Sequence, residues 1–142
     1  MLLLTVSAHS CKEDKPTLPP ETQTGKNTFG CYVNGVLFIN DGAVGWGYTR
    51  LTAAYIHSYD RLQISCKSKN GTITLMVSNP EVNVKKTLSY AINENYQSEN
   101  GGEIFLTRFD FEKRIVSGTF SYGNYITKGR FDISNMGIVI WE

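Results

Sequence analysis

Apolar and polar residues alternate with a period of two in segment after segment from Phe29 onward, and turn-forming residues separate the segments. Phe29, Cys31 and Val33 share one side of such a run, as do Leu62, Ile64 and Cys66. That period marks strands with one buried face. Asn70-Gly71 is the clearest hairpin signal, because both residues tolerate the positive φ of a type I′ turn. A two-residue loop there sets Cys66 opposite Leu75, Ile64 opposite Val77 and Ser68 opposite Ile73, with every apolar residue on one face. Asn34-Gly35 pairs Val33 with Val36 and Cys31 with Phe38 by the same logic. Gly123-Asn124 predicts a third turn, with Tyr122 opposite Tyr125, Phe120 opposite Thr127, Val116 opposite Phe131 and Gly118 opposite Gly129. Ser117, Thr119, Lys128, Arg130 and Asp132 then face water. Further strands are expected over Thr52–His57, Val82–Ala91, Glu103–Phe109 and Gly137–Trp141, with a turn at Asp110–Lys113 and a polar loop from Asn93 to Gly102. No helical periodicity is sustained. The expected fold is all-β, an antiparallel β-sandwich or flattened β-barrel of about eight to ten short, hairpin-linked strands.

The first 27 residues break this pattern. Met1–Ser10 is short and largely apolar, and Cys11 follows small residues Ala8 and Ser10. No Lys or Arg precedes Cys11, although secretory leaders normally start with positive charge. The apolar stretch falls short of the roughly 20 residues needed to span a bilayer. An apolar run, small residues and then Cys resembles the lipobox of bacterial lipoproteins. The resemblance implies that residues 1–10 are the C-terminal part of a signal peptide and that Cys11 is acylated. Each buried acyl CH₂ contributes roughly 0.8 kcal/mol, so several chains anchor stably. Lys12-Glu13-Asp14 resembles the surface-export signal of lipoproteins in some Gram-negative gut bacteria. It points to the cell surface at the outer membrane, with the periplasmic face as the alternative. Residues 11–27, rich in Pro, Thr and Gln, lack the apolar density to pack. As a flexible tether they hold a single domain, residues 28–142, roughly 20–25 Å from the membrane.

Composition narrows the function by exclusion. A net charge of +1 gives no field that argues for nucleic acid or a strongly acidic partner. Beyond Cys11 the chain holds His57 alone, so no His pair is available for a metal, and no cofactor motif appears. Gly42, Gly45 and Gly47 do not stand in a strand–turn–helix context. Asp41, Asp60, Asp110 and Asp132 fall at turns or among outward charges, where carboxylates are solvated or cap backbone N–H groups. The expectation is a protein that is not an enzyme. Cys31 and Cys66 are either a disulfide, which would contribute roughly 3–4 kcal/mol, or two small buried hydrophobes.

Recognition has one main candidate region. Trp46 and Tyr48 lie among glycines, where rings have room to stack on a sugar or anchor a partner; Tyr96 is a weaker candidate. The alternative is that Trp46 plugs one end of the fold. The stretch from Leu18 through Asn27-Thr-Phe-Gly-Cys-Tyr-Val-Asn-Gly35, with Ser117-Gly-Thr-Phe-Ser121 and Thr127-Lys-Gly-Arg-Phe-Asp132, resembles a family of small uncharacterised lipid-anchored lipoproteins of Gram-negative gut bacteria. The resemblance implies an anchored β domain and carries over no activity. Two functional classes follow: a non-catalytic binding module for a glycan, peptide or envelope partner, and a structural or assembly component of the envelope with no small ligand.

Overall fold

The computed structural model describes residues 17–40, 51–92 and 95–140, with the backbone alone over 90–92 and 95–101. The alternating segments form ten strands: β1 (Thr28–Val33), β2 (Val36–Ile39), β3 (Leu51–Ile56), β4 (Arg61–Ser68), β5 (Gly71–Ser78), β6 (Lys85–Ile92), β7 (Asn95–Asp110), β8 (Ile115–Tyr122), β9 (Ile126–Ile133) and β10 (Gly137–Val139). They make one sheet in the order β10-β3-β4-β5-β6-β7-β8-β9-β1-β2. The fold is all-β, and the sheet curls into a half-barrel. It is neither a two-sheet sandwich nor wholly antiparallel, since β10 runs parallel to β3.

The concave face carries the core. Phe29, Cys31, Phe38, Leu62, Ile64, Cys66, Ile73, Leu75, Val77, Leu88, Ile104, Leu106, Val116, Ile126, Phe131 and Ile133 are all buried there with Met136. Curling lets opposite parts of one sheet cover each other. The turn between β4 and β5 reaches β2, with Asn70 Nδ2 donating to the Leu37 carbonyl at 3.5 Å. Burial on the order of 1.5–3 kcal/mol per large apolar side chain is what this curling gains.

Turn chemistry decides where the expected registers hold. Asn34 and Gly35 both have positive φ, 48° and 79°, and β1–β2 pairs as expected, Cys31 with Phe38 and Val33 with Val36. The β4–β5 register differs from expectation by two residues: Cys66 faces Ile73, Ile64 faces Leu75 and Leu62 faces Val77. The loop is Lys69-Asn70 rather than Asn70-Gly71. Ser68 Oγ accepts the Asn70 N–H at 3.1 Å, and Gly71 opens β5 at φ 122°. A two-residue shift preserves side-chain parity, so the same residues stay inside.

The β8–β9 register also differs. Tyr122 pairs with Ile126, Phe120 with Gly129, Gly118 with Phe131 and Val116 with Ile133. Lys128 sits at φ 53° where the ladder shifts, an extra residue of the bulge kind. The two glycines therefore do not face each other. Each faces a phenyl ring, and a Cβ on Gly129 would fall 2.6 Å from Phe120 ring carbons.

Three other expectations are corrected. The segment 93–102 is mostly strand, because β7 pairs with β6 from Asn95. β6 starts at Lys85, not Val82, after Asn79 and Asn83 take positive φ of 51° and 62°. His57 lies in a 3₁₀ turn, His57–Tyr59, that follows β3.

Candidate functional site

The convex face is where the N-terminal segment goes. From Leu18 to Asn27 the chain is seated on the sheet, not free as a tether. Its anchor is Asp132 on β9, beside Ser117 on β8. The Asp132 carboxylate accepts from Thr22 Oγ1 at 2.6 Å, Thr24 N at 3.2 Å and Lys26 N at 3.0 Å on one oxygen. The other oxygen accepts from Gly25 N at 2.8 Å and Ser117 Oγ at 2.7 Å. Burial pulls this carboxyl upward, but the bonds from Thr22, Lys26, Ser117 and Gly25 prevail and hold it at about 2. Alternation sends Ser117 and Asp132 to water. They do point to the outer face, yet both are fully buried there because residues 22–26 cover them.

Other contacts extend this strap. Arg108 Nη1 donates to the Gln23 carbonyl at 2.7 Å, and Asn27 Oδ1 accepts from Ser134 N and Oγ at 2.9 and 3.0 Å. Pro19 and Leu18 close over Gly30, where a Cβ would fall 2.6 Å from Pro19 Cδ.

Beside the strap lies an open groove of about 360 Å³, at the lower end of the size range of small-ligand sites. Its floor follows the ladder. Lys85 pairs with Phe105, Phe105 with Thr119 and Thr119 with Arg130, one row across four strands. Glu103 pairs with Ser121 in the next row. Lys128 and the strap's Glu21 complete the rim. Arg130 is fixed in place: Nε donates to the Lys128 carbonyl at 3.2 Å and Nη1 to the Pro19 carbonyl at 3.4 Å. Lys86 pairs with Glu81 at 2.8 Å outside the groove, whereas the groove's charges make no ion pair among the described residues.

A second concentration of rings lies at the end of the half-barrel formed by the 3₁₀ turn and the β7–β8 turn. Tyr55 stacks edgewise on Phe111 at 5.1 Å and Phe109 at 5.7 Å, and Phe109 meets Phe111 at 4.7 Å. Phe111 is 45% exposed and Tyr59 69%. Tyr55 Oη donates to Asp60 at 2.6 Å, which together with burial and the Asp60 charge raises the phenol's pKa. Alternation along Leu51–Ile56 signals Tyr55 as inward, but nothing in the sequence announces that Phe109 and Phe111 meet it.

The residues singled out from sequence are distributed as follows. Cys11, Asp41, Trp46, Tyr48 and Trp141 lie outside the described residues. Tyr96 falls on β7, where its backbone pairs with Ala91, and its side chain lies outside them. Cys31 and Cys66 are unbridged thiols, both buried; of the two expectations, the disulfide is not formed. Their strands are not neighbours in the sheet, and desolvation pushes the Cys31 thiol up to about 12. No group of three His, Cys, Asp or Glu residues converges among the described residues. No helix among them is long and apolar enough to cross a membrane. No protein-family profile, curated protein or solved structure matches the chain.

Proposed function

We propose that this chain is a lipid-anchored protein of the cell envelope, acylated on Cys11 and displayed at the outer-membrane surface. It acts as a non-catalytic binding module for a glycan, peptide or envelope partner. The observation that carries the binding reading is the groove between the strap and β6–β9, a concave surface of mixed apolar and polar lining whose charges around Phe105 make no ion pair among the described residues, with a guanidinium already held in position. A solvated sheet face needs neither a wall nor a fixed arginine. The anchor rests on the run from Met1 to Cys11.

Two experiments test the two halves. A clickable fatty acid fed to cells labels the wild type and not Cys11→Ser, and protease shaving of intact cells removes the labelled domain if it faces outward. Label on the Cys11→Ser protein refutes acylation at this site. A glycan array probed with the full chain, in mild detergent, reports binding. Retention that survives charge removal at Lys85 and Lys128 places recognition elsewhere, with the ring cluster at Tyr55 and Phe111 the next surface to examine.

A further inference from the structure

We propose that the groove binds an acidic oligosaccharide. One sugar face lies on Phe105, and anionic groups meet Lys85 at one end and Arg130 with Lys128 at the other. This rests on the binding-module reading and names the ligand class of that same site.

The argument starts from the row. Lys85, Phe105, Thr119 and Arg130 stand side by side on adjacent strands. Strands lie about 4.8 Å apart, so the row spans roughly 14 Å. That length suits a short chain of sugar rings better than a single one. Cations close both ends, a half-buried phenyl ring lies between them, and no carboxylate interrupts the row itself, Glu21 and Glu103 standing on the rim beside it. The Phe105 ring offers an apolar platform for the C–H face of a pyranose, and Thr119 presents a hydroxyl beside it.

Charge at the ends selects among sugars. Arg130 uses Nε and Nη1 on backbone carbonyls, which leaves Nη2 without a partner among the described residues. A guanidinium already ordered gives up little freedom when it meets a carboxylate or sulfate. Lys128, turned by its positive φ of 53°, adds a second cation on that side.

Glu103 distinguishes a glycan from an acidic peptide. It borders the row on the Ser121 side with no ion pair of its own among the described residues. A carboxylate there accepts hydrogen bonds from sugar hydroxyls. It repels a ligand that carries negative charge at every position. The surface therefore fits a chain in which hydroxyls and anionic groups alternate.

The test is a chemical-shift titration of the isotope-labelled full chain in detergent. The probes are a hyaluronan tetrasaccharide, in which a uronate alternates with an uncharged sugar, tetragalacturonate, neutral maltotetraose and a tetra-aspartate peptide. The expected result is that at least one acidic tetrasaccharide shifts the amides of Phe105, Thr119 and Gly129, and that added salt weakens it. Lys85→Gln and Lys128→Gln each weaken that binding about tenfold, as loss of a charge-assisted hydrogen bond does. Both side chains are exposed, so the variants fold. Equal or tighter binding of maltotetraose or the peptide at these amides overturns the acidic-glycan class and leaves the binding-module reading standing. Silence of the groove amides with all four probes overturns both.

Discussion

Replacing Asp132 with Asn tests the largest polar commitment in the fold. The side chain keeps its shape, but one acceptor oxygen becomes an amide donor. That donor then faces Gly25 N and Ser117 Oγ, or Thr22 Oγ1, Thr24 N and Lys26 N, depending on which oxygen is replaced. The Ser117 and Thr22 hydroxyls can turn to accept from the amide, so the first orientation strands the Gly25 N–H and the second strands the Thr24 and Lys26 N–H groups. Each buried donor left without a partner costs about 1–3 kcal/mol. The charge can be gauged separately. A carboxyl held at about 2 rather than 3.8 contributes roughly 2 kcal/mol near neutral pH. The two figures overlap, so the expected loss in the less costly orientation is about 2–4 kcal/mol, a large part of the roughly 5–15 kcal/mol of a typical domain. Urea unfolding measures it, and hydrogen exchange at the Thr24, Gly25 and Lys26 amides shows whether the strap has come free. The pH dependence has a definite sign. Because the folded carboxyl titrates below its unfolded value, its contribution is complete above the unfolded value and is lost as pH falls toward about 2. Asp132→Asn therefore shows a shallower acid loss than wild type. A variant within about 0.5 kcal/mol of wild type, or one with the same acid slope, refutes the role given to this carboxylate.

Three further outcomes follow from the same geometry. Gly71 has φ 122°, outside the left-handed region that Asn visits, so Gly71→Asn and Gly71→Val both destabilise, by about 1–3 kcal/mol; a mild Gly71→Asn in a denaturant melt would restore the type I′ turn at Asn70-Gly71. Gly129→Ala drives a Cβ to 2.5 Å from the Phe120 carbonyl and 2.6 Å from its ring, so it lowers the melting temperature, and Gly35→Ala, with nothing within 4 Å, costs less despite its positive φ. Cys31 and Cys66 resist alkylation in the folded chain and react once it is unfolded; a Cys31–Cys66 linked peptide in non-reducing mass mapping contradicts the unbridged thiols.

Local chemistry makes much of the sheet legible. Strand positions and the inward face follow from alternation, and Asn34-Gly35 sets its hairpin correctly because a tight turn with two positive φ angles has little freedom. The slips at Asn70-Gly71 and Gly123-Asn124 arise where a neighbour competes for the turn, Ser68 Oγ in one case and the Lys128 bulge in the other. Parity survives because the first slip is by two. The burial of Asp132 is not legible. Its neighbours Phe131 and Ile133 point inward, which correctly sends Asp132 outward, but its cover comes from a segment more than a hundred positions earlier. The same distance hides the groove, since Glu21, just before that segment, lines it beside residues of β6 to β9.

The strap has a mechanical consequence. β1 is gripped on both sides, by β9 and β2, and would be hard to pull out lengthwise. A tug arriving from the N-terminal side passes the single Arg130–Pro19 hydrogen bond and then meets Asp132, because Thr22, Thr24, Gly25 and Lys26 all hang from that one carboxylate. Bonds that converge on a single group share the load and rupture together. The strap would lift as a unit, giving the domain slack before any strand is strained, and it would re-seat when the tension fell.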